Sequence, residues 1–210
     1  MAASPDSPRA DRLITTVAVV CALIGIGGGL LAARWRRNPA PGLPRRTLID
    51  FVLTESSGRT ITRAELTNRI LVVNCLFTSC SLSCRVVNDR MAEIQRRTAA
   101  RPDVRLISIS IDPRTDTPPV LAAFAASYHA DPARWWFLTG DKSALYPLIE
   151  ACFVDQPGAV EGVPGGFANT DRIYLVDRAG VVRQAFNGLK STAPDDVLRA
   201  IEQIAPVPLP

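Results

Sequence analysis

The chain has 210 residues, enough for one ordinary domain with an appendage and for a sizeable core. Its formal net charge of +4 comes from arginines spread along the chain, which excludes a nucleic-acid footprint. A single histidine leaves no four-ligand zinc pattern, and neither a Ser-His-Asp nor a Cys-His arrangement for hydrolysis stands out.

Residues 1–12 are a short polar start. Leu13–Ala33, LITTVAVVCALIGIGGGLLAA, is a stretch of 21 residues without a charge, long enough as a helix to span a bilayer. A cleaved signal peptide has a shorter apolar region and a small-x-small cleavage site, so an uncleaved, single-pass transmembrane anchor is expected. Arg34, Arg36 and Arg37 after the span favour a cytoplasmic C-terminal side by the positive-inside rule, but a large folded domain is exported regardless of such charges. Residues 34–46, rich in Pro and Arg, read as an extended tether, and the folded domain is placed at 47–206.

Within that domain LIDFVL and RTITRAEL, either side of ESSG, suggest a hairpin turning at Gly58. The apolar run ILVVNCLF, residues 70–77, fits a strand buried on both faces. Cys84, Val87, Met91 and Ile94 then recur at helical spacing, which predicts an amphipathic helix over about 83–99. VRLISISID is a second buried strand, and Thr117-Pro118-Pro119 opens a helix running toward His129. WWFLTG is a short strand, and Asp141 caps a helix ending near Cys152. RIYLVDRAGVVRQAFNG reads as two strands turning at Arg178-Ala179-Gly180, and Thr192-Ala193-Pro194-Asp195 starts a last helix ending near Ile204. Strands alternating with helices imply an α/β fold, a central mixed sheet flanked by helices with an N-terminal hairpin, in the thioredoxin-like arrangement.

The cysteines divide by position. Cys21 lies in the anchor, while Cys75 inside a buried strand and Cys152 on an apolar helix end read as inert buried thiols. Cys80 and Cys84, in FTSCSLSC, sit at a strand-to-helix junction, where backbone N–H groups and the helix dipole favour a thiolate. A thiolate attacks disulfides and binds soft metals, so a redox pair, a metal clamp and a static staple are all open for this pair. His129, at a helix end, reads as an exposed loop residue.

The segments DFVLTESSGRTIT (50–62), ILVVNCLFTSCSLSC (70–84), ISIDPRTDTPPVL (109–121), WFLTGD (136–141) and IYLVDRAG (173–180) together resemble the SCO/SenC family, membrane-anchored thioredoxin-like factors that help assemble the copper centre of cytochrome c oxidase. The resemblance implies that Cys80 and Cys84 bind copper as thiolates or shuttle between dithiol and a Cys80–Cys84 disulfide. It implies a domain on the periplasmic or extracytoplasmic side, held by Leu13–Ala33. It also implies partners in the oxidase subunit that carries the CuA site and in thiol-redox or copper-chaperone proteins. The chain departs from the family pattern at two places. The family's histidine ligand falls on Asn169, and Ser81 stands where proline is usual. Two soft thiolates suit Cu(I) better than Cu(II), so copper as Cu(I) is the expected cargo. A metallochaperone or assembly factor with thiol-disulfide oxidoreductase activity is the leading expectation. A redox protein of the same fold without high-affinity copper binding, and a non-catalytic membrane-tethered scaffold, are the alternatives. A peroxidase is disfavoured, because the residues before Cys80 lack the Pro-x-x-x-Thr-x-x-Cys pattern.

Overall fold

The structure is a computed structural model that describes residues 46–80, 83–154, 166 and 171–205. The expected anchor Leu13–Ala33, most of the tether, Ser81 and Asn169 lie outside the described residues. Among the described residues no helix is long and apolar enough to cross a membrane.

The chain forms strands β1 (Arg46–Thr47), β2 (Val52–Glu55), β3 (Thr60–Thr62) and β4 (Ile70–Leu76), then helix α1 (Ser83–Arg97) and β5 (Val104–Ser110). Helix α2 (Pro118–Ser127), β6 (Trp135–Thr139), α3 (Lys142–Phe153), β7 (Arg172–Val176), β8 (Val181–Asn187) and α4 (Ala193–Ile204) follow. The strands make one mixed sheet in the order β1-β8-β7-β4-β5-β6-β2-β3. β4, β5 and β6 run parallel, as the helical crossovers between them require, and the other pairings are antiparallel.

The two sheet faces follow from the two-residue period of a strand. Leu71, Val73 and Cys75 of β4, Ile107 and Ile109 of β5, and Leu138 of β6 point to one side, where Leu145, Leu148, Ile149 and Phe153 of α3 cover them. Ile70, Val72 and Leu76, with Leu106, Trp135 and Phe137, point to the other. There they meet Val87, Met91 and Ile94 of α1, Leu121 of α2, and Val197 and Ile201 of α4. Burying a Leu, Ile or Val side chain contributes about 1.5–3 kcal/mol, so both layers are substantial.

The expected elements are present, with corrections at the start of the domain. LIDFVL is not a strand throughout: pairing covers only Val52–Glu55, and Leu48 and Phe51 instead plug the core from irregular backbone. RTITRAEL stops being a strand at Thr62, because Glu65 reaches back to the Thr62 backbone N–H at 2.9 Å and starts a 3-10 turn over Arg63–Leu66. The hairpin turns at Gly58 with φ +87, a left-handed backbone that only glycine adopts without strain. β1, too short to show any period, pairs Arg46 with Val182 and Thr47 with Val181, so the last residue of the expected tether already belongs to the sheet.

Candidate functional site: a cysteine pair at a strand-helix junction

β4 ends at Leu76, and α1 begins at Ser83 on the opposite side of a short loop. Cys80 lies on that loop and is partly exposed, while Cys84 is 1% exposed in the first turn of α1. The division has a simple origin. Cys84 falls on the inner stripe of α1 with Val87, Met91 and Ile94, whereas Cys80 precedes the helix and has no face to bury. Cys80 Sγ is 3.7 Å from Ser83 Oγ, and its backbone N–H donates to Phe77 O at 3.2 Å, closing a turn over the loop.

Two buried polar networks fix this junction. In the first, Trp135 Nε1–H donates to Ser108 Oγ at 2.8 Å, and the Ser108 hydroxyl donates to Asn74 Oδ1 at 2.6 Å. Asn74 Nδ2 donates to Asn88 Oδ1 at 3.3 Å, and Asn88 Nδ2 donates to the Cys84 carbonyl at 2.7 Å. Asn74, Asn88 and Ser108 are all fully buried, so each member would be costly if left without a partner. The chain of bonds runs across β6, β5 and β4 to the turn of α1 that carries Cys84.

The second network centres on Asp116, which is fully buried just before α2. Its carboxyl oxygens accept the Thr78 backbone N–H at 3.1 and 3.3 Å, the Thr78 hydroxyl at 2.6 Å and the Ser110 hydroxyl at 2.6 Å. Ser110 Oγ in turn accepts the Asp112 N–H at 3.0 Å. Asp116 thereby clamps the loop before Cys80 onto the end of β5. Sequence reasoning missed Asp116, Asn74, Asn88 and Ser108. Within DPRTDTP only the second aspartate before a threonine and a helix-opening proline hinted at a buried acceptor.

The other cysteines behave as expected from burial. Cys75 and Cys152 are 2% and 0% exposed. Burial, with Cys84 and Cys152 nearby, pushes the Cys75 thiol up to about 12, and burial raises Cys152 as well. Neither supplies a thiolate near neutral pH. His129 is exposed, with φ 52, in the turn that ends α2.

The donor set can be tested against a metal on chemistry alone. Two thiols, one reachable from solvent and one at a helix start, fit a soft, low-coordinate ion such as Cu(I). Among the described residues no group of three His, Cys, Asp or Glu could hold a metal. Cys80 and Cys84 lie four residues apart in sequence at this junction.

A family model for SCO1/SenC matches residues 40–206. The chain is 29% identical over 156 residues to an SCO1 protein homolog of Bacillus subtilis (strain 168), covering 72% of this chain and 79% of that protein. It is 27% identical to a SCO1/SenC family lipoprotein from Bacillus anthracis str. Ames, whose crystal structure superposes with a TM-score of 0.68 over 80% of this chain and 98% of that one. BsSco, a member of the Sco family of cytochrome c oxidase assembly proteins with an identified disulfide switch, matches at 27% identity and a TM-score of 0.66, with the same coverage. Copper-bound Sco structures share the fold at 24% identity or less, a likeness that carries the fold alone. The matched region takes in every described strand and helix and the whole cysteine junction, and the chain belongs to the SCO1/SenC family.

Proposed function

We propose that this protein is a membrane-tethered factor in the assembly of the copper centre of cytochrome c oxidase, working through Cys80 and Cys84. The observation that supports this most is the graded burial of the pair: a reachable thiol and a buried one, held at a helix start by two hydrogen-bonded networks, in a chain of the SCO1/SenC family. Cys80, as thiolate, attacks a sulfur of a partner's disulfide and forms a mixed disulfide, releasing one partner thiolate. Cys84 then attacks Cys80 Sγ, which closes the Cys80–Cys84 disulfide and releases the partner's second thiolate, so two electrons pass to the partner. The same two sulfurs, both reduced, would hold Cu(I) as cargo. The oxidase subunit with the CuA site is the expected recipient, and thiol-redox or copper-chaperone proteins are the expected suppliers.

The domain is placed on the extracytoplasmic side, held by Leu13–Ala33. The description of the Bacillus anthracis relative as a lipoprotein supports a membrane tether of some kind. A reporter active only after export, fused after Pro210, tests the orientation, and activity of a cytoplasmic reporter at that site refutes it.

Asn169 favours a second reading, a redox role without high-affinity copper, because an amide offers copper only a weak oxygen where the family has an imidazole. One experiment separates the two. Reduced protein is loaded anaerobically with Cu(I) and analysed for metal beside a Cys80→Ser/Cys84→Ser control, and the oxidised form is tested for a disulfide by alkylation and mass spectrometry. Thiol-dependent copper retention supports delivery. A reversible disulfide without copper retention supports the redox reading. Neither result leaves only a static scaffold and overturns the proposal.

A further inference from the structure

At the end of the sheet opposite the cysteines, a buried arginine has no carboxylate bonded to it among the described residues. Arg105 lies near the start of β5, beside Leu71 at the start of β4. It precedes by two residues Ile107, the cross-strand neighbour of Trp136, so Arg105 and Trp136 project from the same face. The Arg105 guanidinium carbon sits 3.7 Å from the centre of the Trp136 ring. Arg59 lies 4.5 Å from the same ring. It is brought there by the β2–β3 turn, which docks on β6 through the Ser56 N–H to Phe137 O bond of 2.9 Å.

Arg105 is only 9% exposed, and its Nε is buried with no hydrogen-bond partner. No hydrogen bond or ion pair joins its guanidinium to a carboxylate among the described residues; Asp131 is near enough to be felt but does not bond to it. The surroundings add positive charge. Burial first, and then Arg69, Arg59 and Arg134 as like charges, lower the Arg105 guanidinium from the usual range to about 10. Their own hydrogen bonds do little to offset that charge. Arg69 donates to the Pro102 carbonyl, Arg134 to the carbonyls of Gln95 and Thr98, and only Arg59 has a carboxylate, Glu65 at 3.4 Å. A ring stacked on a guanidinium satisfies its face but none of its in-plane N–H donors. A buried donor without an acceptor costs about 1–3 kcal/mol, more for a charged group, and so calls for an explanation.

We propose that Arg105, Arg59 and Trp136 form a binding site for an oxyanion, a carboxylate or a phosphate group. The planar fork of Arg105 donates to two oxygens side by side, Trp136 holds the fork rigid and partly dehydrated, and Arg59 adds charge from the rim. The site is distinct from the cysteine junction and does not depend on the copper reading.

The test uses the full chain at pH 7 and fixed ionic strength, with chloride as the reference salt. Inorganic phosphate is titrated in one arm and acetate in the other. The readouts are the nitrogen-15 resonance of Arg105 Nε and the melting temperature, for wild type, Arg105→Met and Arg59→Gln. The wild-type resonance is expected to move saturably with at least one anion, with a rise in Tm. The response should vanish in Arg105→Met and weaken several-fold in affinity in Arg59→Gln. A response to phosphate alone, acetate alone or both assigns the anion class and supports the site. No saturable movement with either anion overturns it, as does an equal response in the variants. Should Arg105→Met fail to fold, Arg59→Gln decides, and an unchanged affinity there overturns the proposal.

Discussion

Asp116→Ala probes the clamp beneath Cys80. It removes the acceptor of three donors, the Thr78 N–H, the Thr78 hydroxyl and the Ser110 hydroxyl. Ser110 is fully buried, and losing its acceptor costs about 1–3 kcal/mol. Thr78 is only partly buried and recovers part of its loss from water, so its two donors together add about 1 kcal/mol. The expected total is a destabilisation of about 2–4 kcal/mol by urea denaturation. Ser110→Ala strands the Asp112 N–H and leaves Asp116 Oδ2 only the Thr78 N–H at 3.3 Å, and should cost about 1–2 kcal/mol. The double variant should then be less destabilised than the sum, with a coupling of about 1–2 kcal/mol. Asp50→Ala, whose side chain is 93% exposed, is the control and should change little. The functional readout is the alkylation rate of Cys80 under native conditions, which should rise as the loop from Phe77 to Cys80 loosens. An Asp116→Ala protein within about 0.5 kcal/mol of wild type, or with an unchanged Cys80 rate, refutes the clamp.

At pH 8 native protein should alkylate at Cys80 first, while Cys75 and Cys152 react only after unfolding; labelling read by peptide mass spectrometry checks the order, and early modification of Cys75 contradicts its burial. Because the folded-state pKa of Cys75 is raised, its contribution to stability is whole below the ordinary thiol value of 9.0 and is lost as pH rises toward about 12; denaturation curves across that window should fall for wild type and fall less for Cys75→Ala. Asp103 shows the opposite sign. Hydrogen bonds from Arg101 at 2.9 and 3.0 Å, and from Arg178 at 2.9 Å, hold its carboxyl below the usual range. Its contribution is whole above 3.8 and is lost as pH falls through the folded-state value; Asp103→Asn should cost about 1 kcal/mol at neutral pH and show a shallower loss in acid. Asn169→His, finally, should strengthen Cu(II) binding and add a nitrogen donor, read by electron paramagnetic resonance; a wild-type spectrum already showing histidine-bound Cu(II) contradicts the assignment of Asn169 to the ligand position.

Much of the fold was legible because its signals are local. ILVVN and VRLIS are buried on both faces and read as continuous apolar strands, and Cys84, Val87, Met91 and Ile94 report the helix period. β1 was invisible because two residues carry no period, and the 3-10 turn was hidden because Thr62 and Glu65 look like strand residues until their capping bonds are seen. The networks were hidden for a different reason. Asn74 and Asn88 are 14 residues apart, Asn74 and Ser108 are 34 apart, and Thr78 and Asp116 are 38 apart. No spacing rule links such pairs. In an apolar run a lone Asn or Ser reads as a tolerated exception, and only the crossing of β4, β5 and α1 shows that each exception answers another. Arg105 was masked in the same way, as one charged residue in a strand whose alternate positions are apolar.

Three cysteines within ten residues show how position creates chemistry from one side chain. Cys75 takes an odd place in β4, so the pleat sends it to the α3 side of the sheet, and burial keeps its proton on. Cys84 takes an inward place on α1, where packing limits its approach to a large partner. Cys80 falls between strand and helix, in the one stretch where neither period imposes burial, and so it is the sulfur that a partner can reach. Apolar packing alone would leave this loop free to drift. The acceptors of Asp116 on one side of it, and the Asn88 bond to the Cys84 carbonyl on the other, hold both ends of the junction. Buried polar groups add little net stability, because their desolvation offsets most of the bond energy. What they contribute is a unique geometry, since every displaced arrangement leaves a donor or acceptor unmatched. A site that exchanges a dithiol for a disulfide, as proposed for this pair, needs that property: its two sulfurs must find each other again after every transfer.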